Sequence, residues 1–134
     1  MIVVRSAPDT VKAYHNACRH RGVELVQDRG NCSSGFVCPF HGFTWGLDGA
    51  LTDVPAAWDF PQIHQPDWCL PEVHVGTWGG FVFVNLSESE PQSLLDYLEV
   101  LPSEFAFRPL EDRWTSAHVQ RVVPCNWKIA LEAF

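Results

Sequence analysis

Two short segments of the chain each combine a cysteine with a histidine, and these four side chains could bind a metal. Cys18-Arg19-His20 and Cys38-Pro39-Phe40-His41 form the pattern C-x-H-x17-C-x2-H. In a [2Fe–2S] centre of mixed ligation, cysteines hold one iron and histidines hold the other. Because a neutral imidazole donates less charge than a thiolate, such a centre has a higher reduction potential than an all-cysteine cluster. The pattern therefore predicts transfer of single electrons.

Zinc is the alternative metal for the same four side chains. A Cys2His2 set is an established tetrahedral zinc site, and donor types alone do not define the metal. Zinc fingers usually bring two cysteines close together and then two histidines, whereas each segment here contributes one of each. The mixed order favours the diiron interpretation. Zinc stays open as a second hypothesis, and a chance set of core cysteines and surface histidines as a third.

The residues around these side chains resemble one protein family. Residues 18–22 (CRHRG) and 38–45 (CPFHGFTW) are similar to the Rieske domain of ring-hydroxylating, non-haem iron oxygenases. The resemblance implies a Rieske [2Fe–2S] cluster and assigns no catalytic residue to this chain. The cluster and metal ligands that it implies are Cys18, His20, Cys38 and His41.

Three positions separate the chain from the high-potential Rieske proteins of respiratory chains. Those proteins carry a disulfide-forming cysteine after each ligand pair and a serine that hydrogen-bonds a cluster sulfur. The corresponding places here hold Val23, Phe40 and Phe43. Because fewer hydrogen bonds reach the sulfurs, we expect a potential at the low end of the Rieske range, which suits an electron donor to oxygen chemistry.

The resemblance covers essentially the whole chain. Residues 78–85 (WGGFVFVN) look like the segment that closes the oxygenase Rieske domain, and residues 126–134 (NWKIALEAF) look like the first helix of the catalytic domain. Family members continue to an aspartate and then to two histidines, which hold a mononuclear Fe(II) together with a later carboxylate. The resemblance thus implies a fragment of the large (alpha) subunit, inactive alone. Within this last segment, Glu132 matches a glutamate of the family. Ala133 occupies a position at which family members often have an asparagine.

The fold is predicted to be mainly β: an antiparallel Rieske-type β-sandwich with the cluster between two tip loops, followed by the start of an α+β catalytic domain. The predicted domains are residues 1–90 and 91–134. Hairpins are expected from residues 2–5 with 11–16 and from 73–77 with 80–85, and an Asp48-Gly49 turn within residues 43–51. Residues 35–38 lead into the second ligand loop.

The second part of the chain changes to helical patterns. Ser93 can cap one helix that carries a core-facing stripe of leucines and ends at Pro102. Residues 114–123 are predicted to form a long strand, and residues 126–134 the first turns of a helix.

The composition of the chain and its resemblance to the family predict its binding partners and its location in the cell. A net charge of −7 argues against nucleic acid, and the longest apolar stretch is far shorter than the ~20 residues of a membrane helix. The five cysteines show no spacing typical of a disulfide framework, and we see no secretion signal at the start of the sequence. Both features predict a cytoplasmic protein. The resemblance implies a reductase or ferredoxin as electron donor, a trimer-type homo-oligomer and possibly a beta subunit. A stand-alone Rieske ferredoxin is the alternative function.

Other cysteines, histidines and cations near the motif are not predicted ligands. Cys32 has no histidine at the motif spacing, so we expect a small buried or turn residue. Arg19 and Arg21 could offset the charge of a cluster or be solvated surface cations. Four histidines without ligand spacing are expected on the surface or on strands: His15, His64, His74 and His118.

Overall fold

The start of the chain forms a two-stranded antiparallel sheet, as the alternating pattern predicted. The computed structural model describes residues 1–132. Within them, β1 (Ile2–Ala7) pairs with β2 (Thr10–Tyr14), so the first strand is longer than expected. Tyr14 is fully buried at the end of β2, where its hydroxyl donates to the Leu47 carbonyl at 3.1 Å. This hydrogen bond ties the first sheet to the next one.

A three-stranded antiparallel sheet carries the second ligand segment. Its order is β3 (Phe36–Val37), β4 (Thr44–Trp45) and β5 (Leu51–Asp53). The segment with the second cysteine and histidine connects β3 to β4. Gly49, in the turn between β4 and β5, has a φ of 84°, a conformation that a residue with a Cβ rarely adopts. The Asp48-Gly49 turn prediction is therefore confirmed.

The third sheet is the hairpin predicted from residues 73–85. β6 (His74–Trp78) pairs with β7 (Phe81–Asn85) across two glycines of positive φ. Immediately before β6, the Val73 N–H donates to the Ala13 carbonyl at 2.8 Å. This bond places the third sheet beside the first one. The prediction of a mainly antiparallel β fold is confirmed, in the form of three small sheets.

The hydrophobic core lies beneath the two ligand segments. Its largest fully buried side chains are Trp45, Tyr14, Phe43 and Cys18, and it also includes Cys38 and Phe36. Both motif cysteines are thus part of the core. Burial of these aromatic rings stabilises the position of the ligand segments.

The prediction of one leucine-rich helix ending at Pro102 is wrong. Ser93 caps α1 (Leu94–Leu98), and α2 (Leu101–Glu104) follows after a break at Glu99, whose φ is 52°. Pro102 lies in the first turn of α2, where the missing N–H of proline has no helical partner to lose. The leucine stripe is also not core: Leu98 is its buried member, while Leu95 is 60% exposed.

The predicted strand at residues 114–123 is wrong as well. These residues have no regular secondary structure, and Val122 is 94% exposed. A strand needs a neighbour for its backbone hydrogen bonds, and no described strand lies beside this segment. The helix predicted next is confirmed at its start, because the Asn126 side chain accepts from the Lys128 N–H and caps α3 (Trp127–Leu131). Ala133 lies outside the described residues.

Within residues 1–132, no helix combines the length and apolar character needed to cross a membrane.

Candidate metal centre

The first ligand segment folds into a tight loop closed by two backbone hydrogen bonds. The Cys18 N–H donates to the Val23 carbonyl at 2.8 Å, and the Gly22 N–H donates to the Cys18 carbonyl at 2.7 Å. Gly22 has a φ of 72°, which favours glycine. In this loop Cys18 is buried, whereas His20 is half-buried.

The second ligand segment repeats this arrangement. The Cys38 N–H donates to the Phe43 carbonyl at 2.8 Å, and the Gly42 N–H donates to the Cys38 carbonyl at 3.0 Å. Gly42 has a φ of 75°. The two loops are therefore built alike, although the number of residues between cysteine and histidine differs. Such duplicated loops can present equivalent donors to one centre from two directions.

The two motif cysteines lie together in the core. Cys18 is 2% exposed and Cys38 is 3% exposed. Burial raises the pKa of the Cys18 thiol, and its hydrogen bond with Cys38 acts in the same direction. The His20 backbone N–H and the Trp45 side chain oppose this rise. Without a metal, the dry site therefore favours the neutral thiol of Cys18.

The two motif histidines meet at the surface above the cysteines. The ring centroids of His20 and His41 are 4.7 Å apart, with 54° between the ring planes. His41 is exposed and His20 is half-buried. Burial lowers the pKa of His20, and the charges of His41 and Arg21 lower it further. The site thus favours the neutral imidazole, which is the metal-binding form.

Phenylalanine rings fix the histidines and cover one side of the site. Phe43 stacks on His20 at a centroid distance of 4.7 Å and an angle of 12°. Phe60 packs its edge against His20 and Phe43, at 5.6 and 5.5 Å. Phe40 lies 3.8 Å from the His41 ring. No local pattern pointed to Phe60, because it reaches the site from a separate loop.

Arg19 anchors the first loop to the segment after β5. Its guanidinium donates to the carbonyls of Asp67 and Cys69, at 3.4 and 3.2 Å, and lies 5.1 Å from the centre of the Trp68 ring. The side chain is therefore a structural anchor rather than a free surface cation. Arg21 makes no hydrogen bond of this kind within the described residues.

Asn16 is a positioning residue that the sequence did not indicate. Its Oδ1 accepts from the N–H groups of Leu25 and Val26, both at 3.0 Å, and its Nδ2 donates to the Val26 carbonyl at 2.6 Å. A further bond runs from Nδ2 to the Glu24 carboxylate at 3.0 Å. Asn16 therefore clamps the exit of the first loop beside its entrance.

The remaining cysteines and histidines lie away from this arrangement. Cys32 is an exposed residue whose thiol donates to the Gly35 carbonyl at 2.6 Å, so it is a turn residue and not a buried one. The four histidines without ligand spacing lie on the surface or, for His74, on a strand. Within residues 1–132, no three His, Cys, Asp or Glu side chains surround a point as they would a single metal ion. The motif donors instead form two pairs, thiols inside and imidazoles outside.

Two duplicated loops at the edge of small antiparallel sheets, each offering cysteine and histidine, are typical of Rieske-type iron–sulfur domains. Residues 1–64 match the family model of the Rieske [2Fe-2S] domain. This part of the chain is a Rieske [2Fe–2S] domain, and the chain as a whole is similar to subunits of Rieske oxygenases, as the resemblance in sequence predicted.

Likeness to known proteins extends over nearly all of the chain. The glycine betaine monooxygenase oxygenase subunit of Pseudomonas aeruginosa is 34% identical over 98% of this chain and 30% of its own length. The chlorobenzene dioxygenase subunit alpha of Cupriavidus sp. is 31% identical over 100% of this chain and 31% of its own. The quaternary ammonium Rieske monooxygenase CntA superposes with a TM-score of 0.82 at 25% identity, over 97% of this chain and 36% of that chain. The chain thus spans about 30% of the length of the curated relatives it matches.

Proposed function

We propose that Cys18, Cys38, His20 and His41 hold the Rieske cluster and that this chain relays single electrons within an oxygenase. The observation that carries the proposal is the arrangement of the donors. Two buried thiols lie side by side, and two imidazoles lie 4.7 Å apart at the accessible rim. When bound, a [2Fe–2S] cluster accepts and gives up one electron at a time.

The chemistry of these donors fits such a cluster. The thiolates bind one iron and the imidazoles bind the other, which matches the separation into an inner and an outer pair. Neutral imidazole is available at His20 because the pKa of that ring is lowered. The Cys18 thiol, whose pKa is raised, releases its proton when it becomes a ligand. A single zinc ion would instead require at least three donors around one point.

The chain's own residues would orient the ligands and control access. A histidine ligand uses one ring nitrogen for iron and leaves the other free to hydrogen-bond outward. Because His41 is exposed, its outer edge is the accessible path for an electron. Phe43 and Phe60 hold the His20 ring and exclude water on that side.

In the complete protein, we propose that electrons from NAD(P)H arrive through a reductase or ferredoxin and pass to a mononuclear iron that activates O2. The product would be a hydroxylated, cis-dihydroxylated or dealkylated organic compound, aromatic or related. Relatives named for glycine betaine and for chlorobenzene match nearly the whole chain. A region shared by proteins with such different substrates supports a role in electron delivery rather than in substrate choice.

Assembly and location belong to the same proposal. A quaternary ammonium Rieske monooxygenase transfers electrons between its subunits, which supports a homo-oligomer for the parent protein, with or without a beta subunit. All five cysteines are free thiols, which supports a reducing cytoplasm. We also propose a Rieske unit in residues 1–90, followed by a connector helix and the beginning of the catalytic domain in 91–134. Burial supports this division, because every buried hydrophobic residue of the described chain except Leu98 lies in the first unit.

Anaerobic reconstitution tests the ligand assignment. The chain is loaded with iron and sulfide, and iron, acid-labile sulfide, the visible spectrum and the EPR spectrum of the reduced form are measured. We expect two irons and two sulfides per chain, a red-brown colour and a paramagnetic reduced state. A colourless protein without labile sulfide would support zinc and reject the proposal.

A pair of histidine variants makes the test specific. His41→Cys is expected to abolish the Rieske spectrum, because it replaces an imidazole by a thiolate. His64→Cys is the matched control: His64 is exposed on a separate loop, and this variant should keep the original spectrum. An unchanged spectrum in His41→Cys, or its loss in His64→Cys, would contradict the assignment.

A further inference from the structure

The chain after the third sheet folds back onto the β6–β7 hairpin. A Cβ at Gly76, on β6, would lie 2.9 Å from Leu94 Cδ2 and 3.1 Å from Leu94 Cβ, so the two residues are in close contact. Leu94 begins α1, and Leu98, which lies on the same helix face, is 7% exposed. Because Gly76 has no side chain, its backbone forms a notch against which the first turn of α1 packs.

The tip of the same hairpin contacts the end of this segment. A Cβ at Gly79 would lie 3.1 Å from Leu110 Cδ1. Between the two ends, the rings of Trp78 and Phe105 are in edge-to-face contact, with their centroids 6.1 Å apart. Residues 94–111, which we call the strap, thus contact the hairpin from the middle of β6 to its turn.

Side-chain packing holds the strap to the hairpin. The backbone hydrogen bonds of the strap are local, such as the one from the Phe105 N–H to the Leu101 carbonyl at 3.0 Å. In the described chain, the hydrogen bonds of the strap all remain within residues 93–113. The strap can therefore separate from the hairpin without breaking a hydrogen bond of either element. Local opening of this kind occurs at the less stable parts of a fold.

The hairpin itself is tied to the start of the first ligand loop. The Val73 N–H donates to the Ala13 carbonyl at 2.8 Å, and the His15 N–H donates to the Pro71 carbonyl at 3.0 Å. His15 lies three residues before Cys18. A segment that docks on β6 is therefore held to the same body of structure that carries the ligand loops.

Exposure changes sharply where the strap ends. Leu110 is half-buried, whereas residues 111–129 are all exposed. Trp114 is 84% exposed and Val122 is 94% exposed. The chain thus leaves the surface of the β structure at residue 111, and the last contact before this point is the one between Leu110 and the hairpin turn.

We propose that the strap is a positioning element that docks on the β6–β7 hairpin through the notch at Gly76, and that the docked state fixes where the chain beyond residue 111 leaves the Rieske unit. Docking does not depend on the proposed ligand set. In the proposed electron relay, the strap would hold the rest of the protein in a constant position relative to the ligand loops.

Amide hydrogen exchange of the whole chain, followed by NMR, tests the docking. Gly76→Ala places a methyl group against Leu94, and Leu94→Ala removes the same contact from the other side. Leu95→Ala is the matched control, because this neighbouring leucine of α1 is 60% exposed. The amides of Tyr97 and Phe105 report the strap, and the amides that pair β6 with β7 report the hairpin.

Gly76→Ala and Leu94→Ala should each speed exchange throughout the strap by about tenfold, because overpacking or loss of an apolar contact destabilises the docked state. The hairpin amides should keep their rates, and Leu95→Ala should match the original chain. The double variant should show less than the product of the two single effects, since both substitutions disturb one contact.

Unchanged strap exchange in both Gly76→Ala and Leu94→Ala would overturn the proposal, as would equal acceleration in Leu95→Ala. If Gly76→Ala also unfolds the hairpin, Leu94→Ala decides, because it leaves β6 untouched. Failure of the original chain to load a cluster would reject the ligand assignment but not the strap, because strap exchange is measured separately from iron and sulfide content.

Discussion

Gly22 and Gly42 occupy equivalent places in the two ligand loops and have nearly the same backbone conformation, with φ of 72° and 75°. Each donates its N–H to the carbonyl of the cysteine four residues earlier. Their surroundings differ. A Cβ at Gly22 would meet open space, whereas a Cβ at Gly42 would lie 3.0 Å from Pro55 Cγ.

This difference predicts unequal costs for alanine. Gly22→Ala should lower the free energy of unfolding by about 1–2 kcal/mol, the cost of a left-handed conformation with a Cβ. Gly42→Ala should cost more, because Pro55 must also move, and it should reduce cluster loading. Urea unfolding measures both. Gly30→Ala is the control, since Gly30 has open space and no left-handed φ. Equal losses at Gly22 and Gly42 would contradict the structure.

Arg19 should stabilise the first ligand loop through geometry rather than charge. Arg19→Lys keeps the charge but loses the fork that reaches the Asp67 and Cys69 carbonyls. We expect a loss of about 0.5–1.5 kcal/mol in unfolding free energy for two exposed hydrogen bonds and the ring contact. Arg21→Lys is the matched control and should be near neutral. If both variants behave alike in denaturant, Arg19 acts only as a cation.

Asn16 should control the exit of the first loop. Asn16→Ala removes the acceptor for the Leu25 and Val26 N–H groups and should cost about 1–3 kcal/mol, because these backbone donors lose their partner. Asn16→Asp keeps the acceptor and should recover part of that loss. Hydrogen exchange at Leu25 and Val26 reports the clamp directly. Asn31→Ala, at an exposed asparagine, is the control. Slow exchange at both amides in Asn16→Ala would show that other contacts hold this segment.

The raised pKa of Tyr14 predicts that the folded protein loses stability in strong alkali. Burial raises the pKa of Tyr14 to about 12, with Glu72, Asp48 and Cys69 acting in the same direction. Below pH 10 the phenol keeps its proton in both states. Between pH 10 and about 12 the unfolded chain loses the proton while the folded chain keeps it, so the free energy of unfolding falls, by at most about 1.4 kcal/mol per pH unit.

Tyr14→Phe isolates this effect. The variant loses the hydrogen bond to the Leu47 carbonyl and should be about 1 kcal/mol less stable near neutral pH. Its stability should then decline less steeply than that of the original chain between pH 10 and 12. Denaturant unfolding at several pH values makes the comparison. Parallel curves for the two proteins would show that other groups cause the alkaline loss.

Local patterns in the sequence predicted the hairpins and the donor set. The β6–β7 hairpin was placed to within a residue, because alternation and paired glycines act over short distances. The Cys-x-His and Cys-x2-His segments were sufficient to indicate the Rieske family, since the chemistry of the cluster limits which side chains can stand there. Caps at Ser93 and Asn126 marked helix starts for the same local reason.

Contacts between distant parts of the chain had no such signal. The strand predicted at residues 114–123 is absent because alternation cannot supply a pairing neighbour, and the helix expected to end at Pro102 breaks at Glu99 instead. Only the tertiary structure brought Asn16 to Val26, Arg19 to Trp68 and His20 to Phe60. The sequence by itself indicated the four side chains that we propose as cluster ligands. The packing of the chain decided which aromatic rings surround His20, because that depends on where separate segments meet.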